Sequence, residues 1–194
     1  MQTQFTKFDA LVRQITPEPP PVLSPVRWNR GGNAAVLRTP DLADGARLWQ
    51  IAANSGVLDT NSSYAYLLWC RDFAATSAVA EIDGAIGGFV IGYLRPQQPD
   101  AFFVWQVAVE PEHRGKGLGV AMLDYLFDGL AEQGISALET TVSPDNAASI
   151  AMFGALARRH GAGLTRRRLF DPGHFPDGHE PEHLFRIALD QEVG

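Results

Sequence analysis

Two hydrophobic periods run along this chain and divide it into elements. Neither is sustained at the start. Pro17, Pro19, Pro20, Pro21 and Pro25 precede Gly31 and Gly32. Proline fixes φ and removes an amide donor, so residues 1–32 are expected to form a flexible tail, with at most a short helix over 5–15. A single folded domain is expected over 33–194. Ala34–Arg38 alternates as a strand. Asp41 can cap a helix to Asn54 whose apolar side is Leu42, Ala46, Leu48, Trp49 and Ala52. The Asp-Thr-Asn-Ser cluster at 59–62 is turn and capping chemistry, and a helix follows to about Phe73. Strands are predicted over Thr76–Ile82, Gly87–Leu94 and Ala101–Val109. The first two join through Asp83-Gly84, a hairpin signal, and the last two through a loop over 95–100. Leu118–Gln133 has a helical period and stops at Gly134. Ala137–Val142 is a strand. Ser143 and Pro144 open a helix to His160, and Leu164–Phe170 and Glu182–Leu189 close the chain as strands.

The predicted order is βααβββαβαββ. Strands and helices do not strictly alternate. The fold class is therefore mixed α/β, with one central mixed sheet of six to seven strands flanked by helices, and not a dinucleotide-binding or flavodoxin-like repeat.

Composition narrows the partners. The chain has 194 residues, is 45% hydrophobic and carries a net charge of −6. An acidic protein is a poor match for nucleic acid, whose phosphates demand a basic face, whereas it suits a small cationic substrate. Cys70 is the single cysteine, so an internal disulfide or a cysteine zinc cluster is excluded and a reducing, cytoplasmic location is expected. It lies in an apolar helical run and reads as a packed core thiol. No stretch approaches the roughly 20 apolar residues of a membrane span, and the N-terminus lacks the pattern of an export signal.

The candidate chemistry is Val-Ala-Val-Glu-Pro-Glu-His-Arg-Gly-Lys-Gly-Leu-Gly at 107–119. A strand leads in and a helix leads out. Lys116 is followed by Gly117, not by a hydroxyl residue, so this is not a Walker loop. The spacing of Gly115, Gly117 and Gly119 in mid-chain does not fit the dinucleotide fingerprint. What remains is Arg114-x-x-Gly117-x-Gly119. Glycines let a ligand approach the backbone, and the first amides of the helix have no internal partner. Those amides and the helix dipole favour a pyrophosphate, with His113, Arg114 and Lys116 adding positive charge. A glycine-rich surface turn is the competing reading of the loop alone.

This motif, followed by a helix, a strand and Ser-Pro-Asp-Asn at 143–146, resembles the GCN5-related N-acetyltransferase (GNAT) superfamily over about 34–189. The resemblance implies acetyl-CoA as cosubstrate. Arg114, Gly115, Lys116, Gly117, Leu118, Gly119 and Val120 would hold its pyrophosphate, Val107, Ala108 and Val109 would offer backbone to the pantetheine arm, and Asn146 would contact CoA. Four longer segments, at 58–70, 103–119, 138–153 and 179–187, resemble one branch of that superfamily, the L-2,4-diaminobutyrate acetyltransferases of ectoine synthesis. That branch implies transfer of acetyl to the 4-amino group of L-2,4-diaminobutyrate, a homodimer, and an acceptor pocket near Asp59, Asn61, Ser62, Tyr64 and Trp105. The residue types suit a ligand with two amines and a carboxylate. Asp59 can pair with an ammonium, Asn61, Ser62 and Tyr64 can hydrogen-bond, and Trp105 can wall the carbon chain. Read without the resemblance, the same residues make a helix cap and an inward strand residue.

Many GNAT enzymes place a tyrosine about seven residues after the position of Asn146, as general acid. Phe153 stands there and cannot donate a proton. Either another group, Tyr64, serves as the acid or the thiolate leaves unaided and takes its proton from solvent; Glu139 or a water chain from Asp59 is the candidate base, with a solvated strand residue the competing reading of Glu139. His174, His179 and His183, with the acids around them, fit no zinc spacing, so no metal is expected. That segment instead reads as a loop bordering the pocket, from which Glu180, Glu182 or His183 could meet an ammonium. Other readings stay open: a GNAT enzyme for another small amine, a CoA-binding protein without turnover, and, more remotely, a nucleotide hydrolase.

Overall fold

The computed structural model describes residues 22–56 and 58–188. The short helix considered over 5–15 and the last residue of the final predicted strand lie outside them. Eight strands form one sheet in the order β1-β2-β3-β4-β5-β6-β8-β7. They are β1 (Val26–Arg30), β2 (Asn33–Arg38), β3 (Ala78–Ile82), β4 (Ala85–Arg95), β5 (Gln98–Val109), β6 (Ala137–Val142), β7 (Gly163–Phe170) and β8 (Glu182–Ala188). Four helices flank it: α1 (Gly45–Asn54), α2 (Ser63–Asp72), α3 (Leu118–Ala131) and α4 (Ala147–Arg159). All neighbouring strands are antiparallel except β5 and β6. The mixed α/β class and the element order expected from the sequence hold, with one strand more than the upper expectation.

The extra strand is β1, in the segment expected to be tail. It pairs with β2 from Val26 opposite Leu37 to Arg30 opposite Asn33. The turn between them uses Gly31 and Gly32 at φ 55° and 79°, which only glycine adopts without strain. Proline density upstream masked this hairpin. The turn Asp83-Gly84, with φ of 50° and 81°, joins β3 to β4 as its sequence signals. At α4 the cap is Asn146 rather than Ser143. The Asn146 side chain accepts from the Ser149 amide at 3.0 Å, and Ser143 instead closes the turn before it by accepting from the Asn146 amide at 3.1 Å.

Two cores sandwich the sheet. On one face Phe102, Val104 and Leu138 pack with Met122, Leu126 and Phe127 of α3 and Leu156 of α4. On the other, Val79, Phe89 and Ile91 pack with Leu48 and Ile51 of α1 and Tyr66 and Cys70 of α2. Burial pushes the Cys70 thiol up to about 12, as fits a core thiol with no ionic role. Among the described residues, no helix is long and apolar enough to cross a membrane.

The connection from β2 into α1 is fixed by charge. Arg38 binds both oxygens of Asp44, at 2.7 and 3.0 Å, and reaches Glu81 of β3 at 3.1 Å. Asp44 also accepts from the Asp41 amide at 2.8 Å, and Asp41 accepts from Ala43, a reciprocal capping box. Asp44 is buried and Glu81 is half-exposed. Asp44→Ala removes the two-oxygen partner of the part-buried Arg38, which keeps Glu81, and also removes the capping box, so it is expected to cost about 2 kcal/mol. Glu81→Ala is expected to cost under about 1 kcal/mol. Urea unfolding of the two variants checks this; equal losses would refute the ranking.

Candidate active site

The two cores meet where β5 changes face. Ile91 pairs with Gln106 but Gly92 pairs with Val104, so Trp105 has no partner on β4 and forms a bulge. Phe102 and Val104 face α3, and regular alternation would turn residue 106 the same way. Instead Gln106 and Ala108 face α1 and α2, while Val107 and Val109 pack toward α3. The parallel pairing with β6 ends at the same place: Ala101 lies opposite Ala137, and the last pair is Val104 opposite Thr140. The Thr140 hydroxyl donates to the Val104 carbonyl at 3.2 Å and closes the seam. Beyond it the strands part. Backbone groups of 105–109 that point away from β4 turn toward this gap, where a linear amide ligand can take them.

The gap leads down to the glycine loop. Gly115 and Gly117 have φ of 73° and 88°, and Gly117 is the N-cap of α3. The first helical bond is from the Ala121 amide to the Gly117 carbonyl, at 3.0 Å. The amides of Leu118, Gly119 and Val120 therefore precede the helical ladder and face outward. At Gly119 a Cβ would sit 2.8 Å from the Met152 Sδ, so glycine lets α3 lie close to α4 and β5. Arg114 braces the loop by donating from Nε to the Val109 carbonyl at 2.8 Å. Behind it Glu110 is buried and accepts from Arg47 of α1 at 2.7 Å. Lys116 and His113 stand on the rim. The loop has the geometry of an anion seat, formed by a left-handed turn, outward amides and nearby cations.

Above the gap, three segments converge. Tyr66 of α2 donates to the Gln106 Oε1 at 3.0 Å, and the Gln106 Nε2 donates to the Asp59 carbonyl at 2.9 Å. Asn61 lies against the Tyr66 hydroxyl, whose pKa burial raises. This chain of bonds ties the 58–62 segment to the bulged strand. The Asp59 carboxylate is left free to face outward, with its side chain 92% exposed and 3.9 Å from the His179 ring. Trp105 is 51% exposed, and its ring lies 6.3 Å from that of Trp69. Tyr64, in the first turn of α2, is 65% exposed. Ser62 is the N-cap position of α2, with no side-chain capping bond.

From the third segment comes Glu182 of β8. Burial pushes its carboxyl above the usual range, against Thr141, which bonds it, and His179, which attracts it; Asp145 and Asp59 add to the rise. Its Oε2 is buried and has no hydrogen-bond partner among the described residues. His179 itself is shifted up, chiefly by its bond to the Glu180 carbonyl at 2.7 Å, helped by Glu182 and Asp59. An unsatisfied buried carboxylate oxygen beside an outward aspartate is an environment for an ammonium.

Some sequence expectations find another role here. Glu139, a candidate base, is 2% exposed. Each of its oxygens is taken at 2.6 Å by a guanidinium, from Arg95 and Arg186. So held, it serves as the hub of an ion triad. Phe153 is buried in the α3–α4 core. Asn146 uses its side-chain oxygen to cap α4, leaving its amide group outward. Tyr66, Gln106 and the bulge were missed. A tyrosine and a glutamine within apolar runs carry no local mark, because the bond between them spans 40 positions. Among the described residues, no group of three or more metal-ligating side chains comes together.

This geometry has counterparts among known proteins. Residues 44–157 match the acetyltransferase (GNAT) family. The chain is 60% identical over 177 residues to L-2,4-diaminobutyric acid acetyltransferase of Nocardia farcinica, spanning 91% of this chain and 92% of that one. It is 45% identical over 154 residues to the enzyme of the same name from Bordetella parapertussis, spanning 78% and 83%. The solved structure of diaminobutyrate acetyltransferase EctA from Paenibacillus lautus, in complex with its substrate L-2,4-diaminobutyric acid and coenzyme A, matches with a TM-score of 0.79 at 39% identity, over 84% of this chain and 100% of that one. Ard1 from Thermoplasma volcanium shares the fold, with a TM-score of 0.65 at 20% identity over 80% and 99%. The chain belongs to the acetyltransferase (GNAT) family and, within it, to the L-2,4-diaminobutyric acid acetyltransferases.

Proposed function

We propose that this chain transfers the acetyl group of acetyl-CoA to the 4-amino group of L-2,4-diaminobutyrate, giving N4-acetyl-L-2,4-diaminobutyrate, the acetylation step of ectoine synthesis. The observation that carries this reading is one junction. At the parting of β5 and β6, an anion seat and a strand with free backbone groups lie below, and an acidic, aromatic acceptor wall lies above. The similarity to the enzymes from Nocardia farcinica and Paenibacillus lautus supports the same substrates.

The residues present fit acetyl-CoA. The loop amides from Arg114 to Val120 suit a diphosphate, because a Cβ at Gly117 would close the cradle against Arg30. Val107, Ala108 and Val109 suit an amide arm, and the outward amide of Asn146 lies at the opening of α4. When bound, acetyl-CoA supplies an activated acetyl thioester. The protein's task is to hold an amine against it in one ternary complex, without a covalent enzyme intermediate. Amides of 106–109 that turn into the gap can stabilise negative charge on the acyl oxygen.

The acceptor amine has a pKa near about 10 and arrives protonated. Asp59 and Glu182 hold its ammonium groups, Asn61 and Ser62 its carboxylate side, and Trp105 its carbon chain. Loss of one proton, through water beside Asp59, frees the lone pair for attack. The C–N bond forms, the C–S bond breaks, the nitrogen gives up its second proton, and the thiolate takes one. With Phe153 buried and Tyr66 donating to Gln106, Tyr64 is the hydroxyl proposed for that last step. Phe73 and Trp105, exposed on either side of the partly buried Trp69, support a homodimer. A lone buried thiol suits the cytoplasm.

Thiol release from acetyl-CoA is expected with diaminobutyrate and not with ornithine, lysine or 2,3-diaminopropionate; release with all four would make this a broad amine acetyltransferase. Asp59→Ala is expected to raise the KM for diaminobutyrate about tenfold while leaving that for acetyl-CoA near the parent value. Steady-state kinetics decide, and equal rises would remove Asp59 from the acceptor site. Glu182 must be ionised to attract an ammonium, and its raised pKa moves that requirement to higher pH than an ordinary glutamate would. The KM for diaminobutyrate is therefore expected to climb as pH falls through that raised pKa, and Glu182→Gln to flatten the climb. A pH profile unchanged in Glu182→Gln would contradict the assignment.

A further inference from the structure

Residues 58–62 belong to no helix or strand, so no backbone ladder fixes where Asp59 and Asn61 stand above the gap. The core fixes them instead. Tyr66 is fully buried, and its ring meets Phe89 of β4 edge-on, with centroids 6.2 Å apart. Its hydroxyl donates to the Gln106 Oε1 at 3.0 Å. The other end of that amide, Nε2, donates to the Asp59 carbonyl at 2.9 Å. A carbonyl can only accept, so the buried Gln106 amide has one orientation here, nitrogen toward Asp59 and oxygen toward Tyr66. Asn61 lies against the same tyrosine hydroxyl. At the start of the segment the Leu58 amide donates to the Ser55 Oγ at 3.0 Å, and Leu58 packs against the α1–α2 core.

The relay ends on the Asp59 carbonyl and not on its carboxylate. The acid stays outward while its main chain is hung from the strand. Gln106 stands between Trp105, exposed beside the acceptor wall, and Val107, which packs toward α3. One buried amide therefore sets how far Asp59 lies from the gap. That distance bears on which amine reacts. An apolar wall separates amines that differ by a methylene only modestly. Misplacing the attacking nitrogen by about 1 Å can cost about a hundredfold in rate. An acidic anchor at a fixed distance turns chain length into such a misplacement. The reacting nitrogen of 2,3-diaminopropionate then falls short of the thioester, and that of ornithine overshoots it.

We propose that Gln106 and Tyr66 are positioning residues that set chain-length selectivity, their relay holding Asp59 at the distance that brings the 4-amino group of diaminobutyrate to the thioester. The proposal rests on the acceptor site and acetyl transfer argued above, and deepens that reading by naming what fixes the anchor. Both residues act through Asp59, and neither is required to touch the substrate.

The readout is selectivity in the full chain: kcat/KM for diaminobutyrate relative to 2,3-diaminopropionate and to ornithine, with enough enzyme to measure the slow homologues in the parent. Gln106→Met keeps the side-chain length and breaks both links. It is expected to raise the KM for diaminobutyrate about tenfold and to lower both ratios about tenfold, with CoA affinity by calorimetry within about twofold of the parent. Gln106→Glu keeps the bond to Tyr66 but sets an oxygen against the Asp59 carbonyl, and is expected to match Gln106→Met. Tyr66→Phe keeps the ring on Phe89 and the lower link, and is expected to move the ratios the same way by about threefold. If Gln106→Met does not fold, Tyr66→Phe decides. A lowered melting temperature with both ratios unchanged overturns the proposal, because a relay that only supported the core would give that result. An equal loss of CoA affinity overturns it too. A parent that releases no thiol with diaminobutyrate overturns the transferase reading, whereas an active parent whose variants keep its ratios overturns the positioning role alone.

Discussion

Beyond Val104 the two parallel strands of this sheet cease to pair, and the site depends on that. Unpaired backbone amides in a sheet are costly unless something bonds them. The Trp105 bulge turns the cost to use, because it rotates the strand while the neighbouring strand β4 stays in register. Residues 107 and 109 then face α3, and 106 and 108 face α1 and α2. One inserted residue thus gives a single strand two addresses, and Thr140 marks the last rung before the opening.

Electrostatics divide the molecule into structural and reactive charge. Arg38 with Asp44, Arg47 with Glu110, and Glu139 with Arg95 and Arg186 are saturated pairs that fix elements to the sheet. At the junction, by contrast, the buried Glu182 Oε2 has no hydrogen-bond partner among the described residues, and the Asp59 carboxylate is 92% exposed, 3.9 Å from the His179 ring. A buried carboxylate oxygen without a partner is destabilising, so that of Glu182 is most simply understood through a cationic ligand.

Much of the fold was legible because its signals are local. Asp83-Gly84 demands a hairpin, Gly134 ends a helix, and β6 is bracketed by Gly134 and Ser143-Pro144. The glycine loop could be read the same way, since its residue types and order are its chemistry. Long-range facts were not legible. Hydrophobic alternation in β5 gives no sign that Trp105 is the inserted residue. Ser143-Pro144 looks like a helix start, but a turn intervenes before Asn146. Glu139 appears as one acid in a strand, and only the tertiary fold brings two arginines to it from positions 44 and 47 residues away. The hairpin strand β1 was missed for a local reason, the prolines crowded before it.

The hydrogen-bond relay from Tyr66 through Gln106 to the Asp59 carbonyl has a consequence for how such an enzyme can change. Gln106 is flanked by Trp105 and Val107, so the anchor of the acceptor loop and the donor's backbone are consecutive links of one chain. Any shift along the strand displaces both reactants together and preserves their relative aim. With the acceptor site proposed above, selectivity for the amine can then drift in the side chains of 59–64 without disturbing the trajectory of attack. The relay works as a shared datum: it separates what is recognised from where the bond is made.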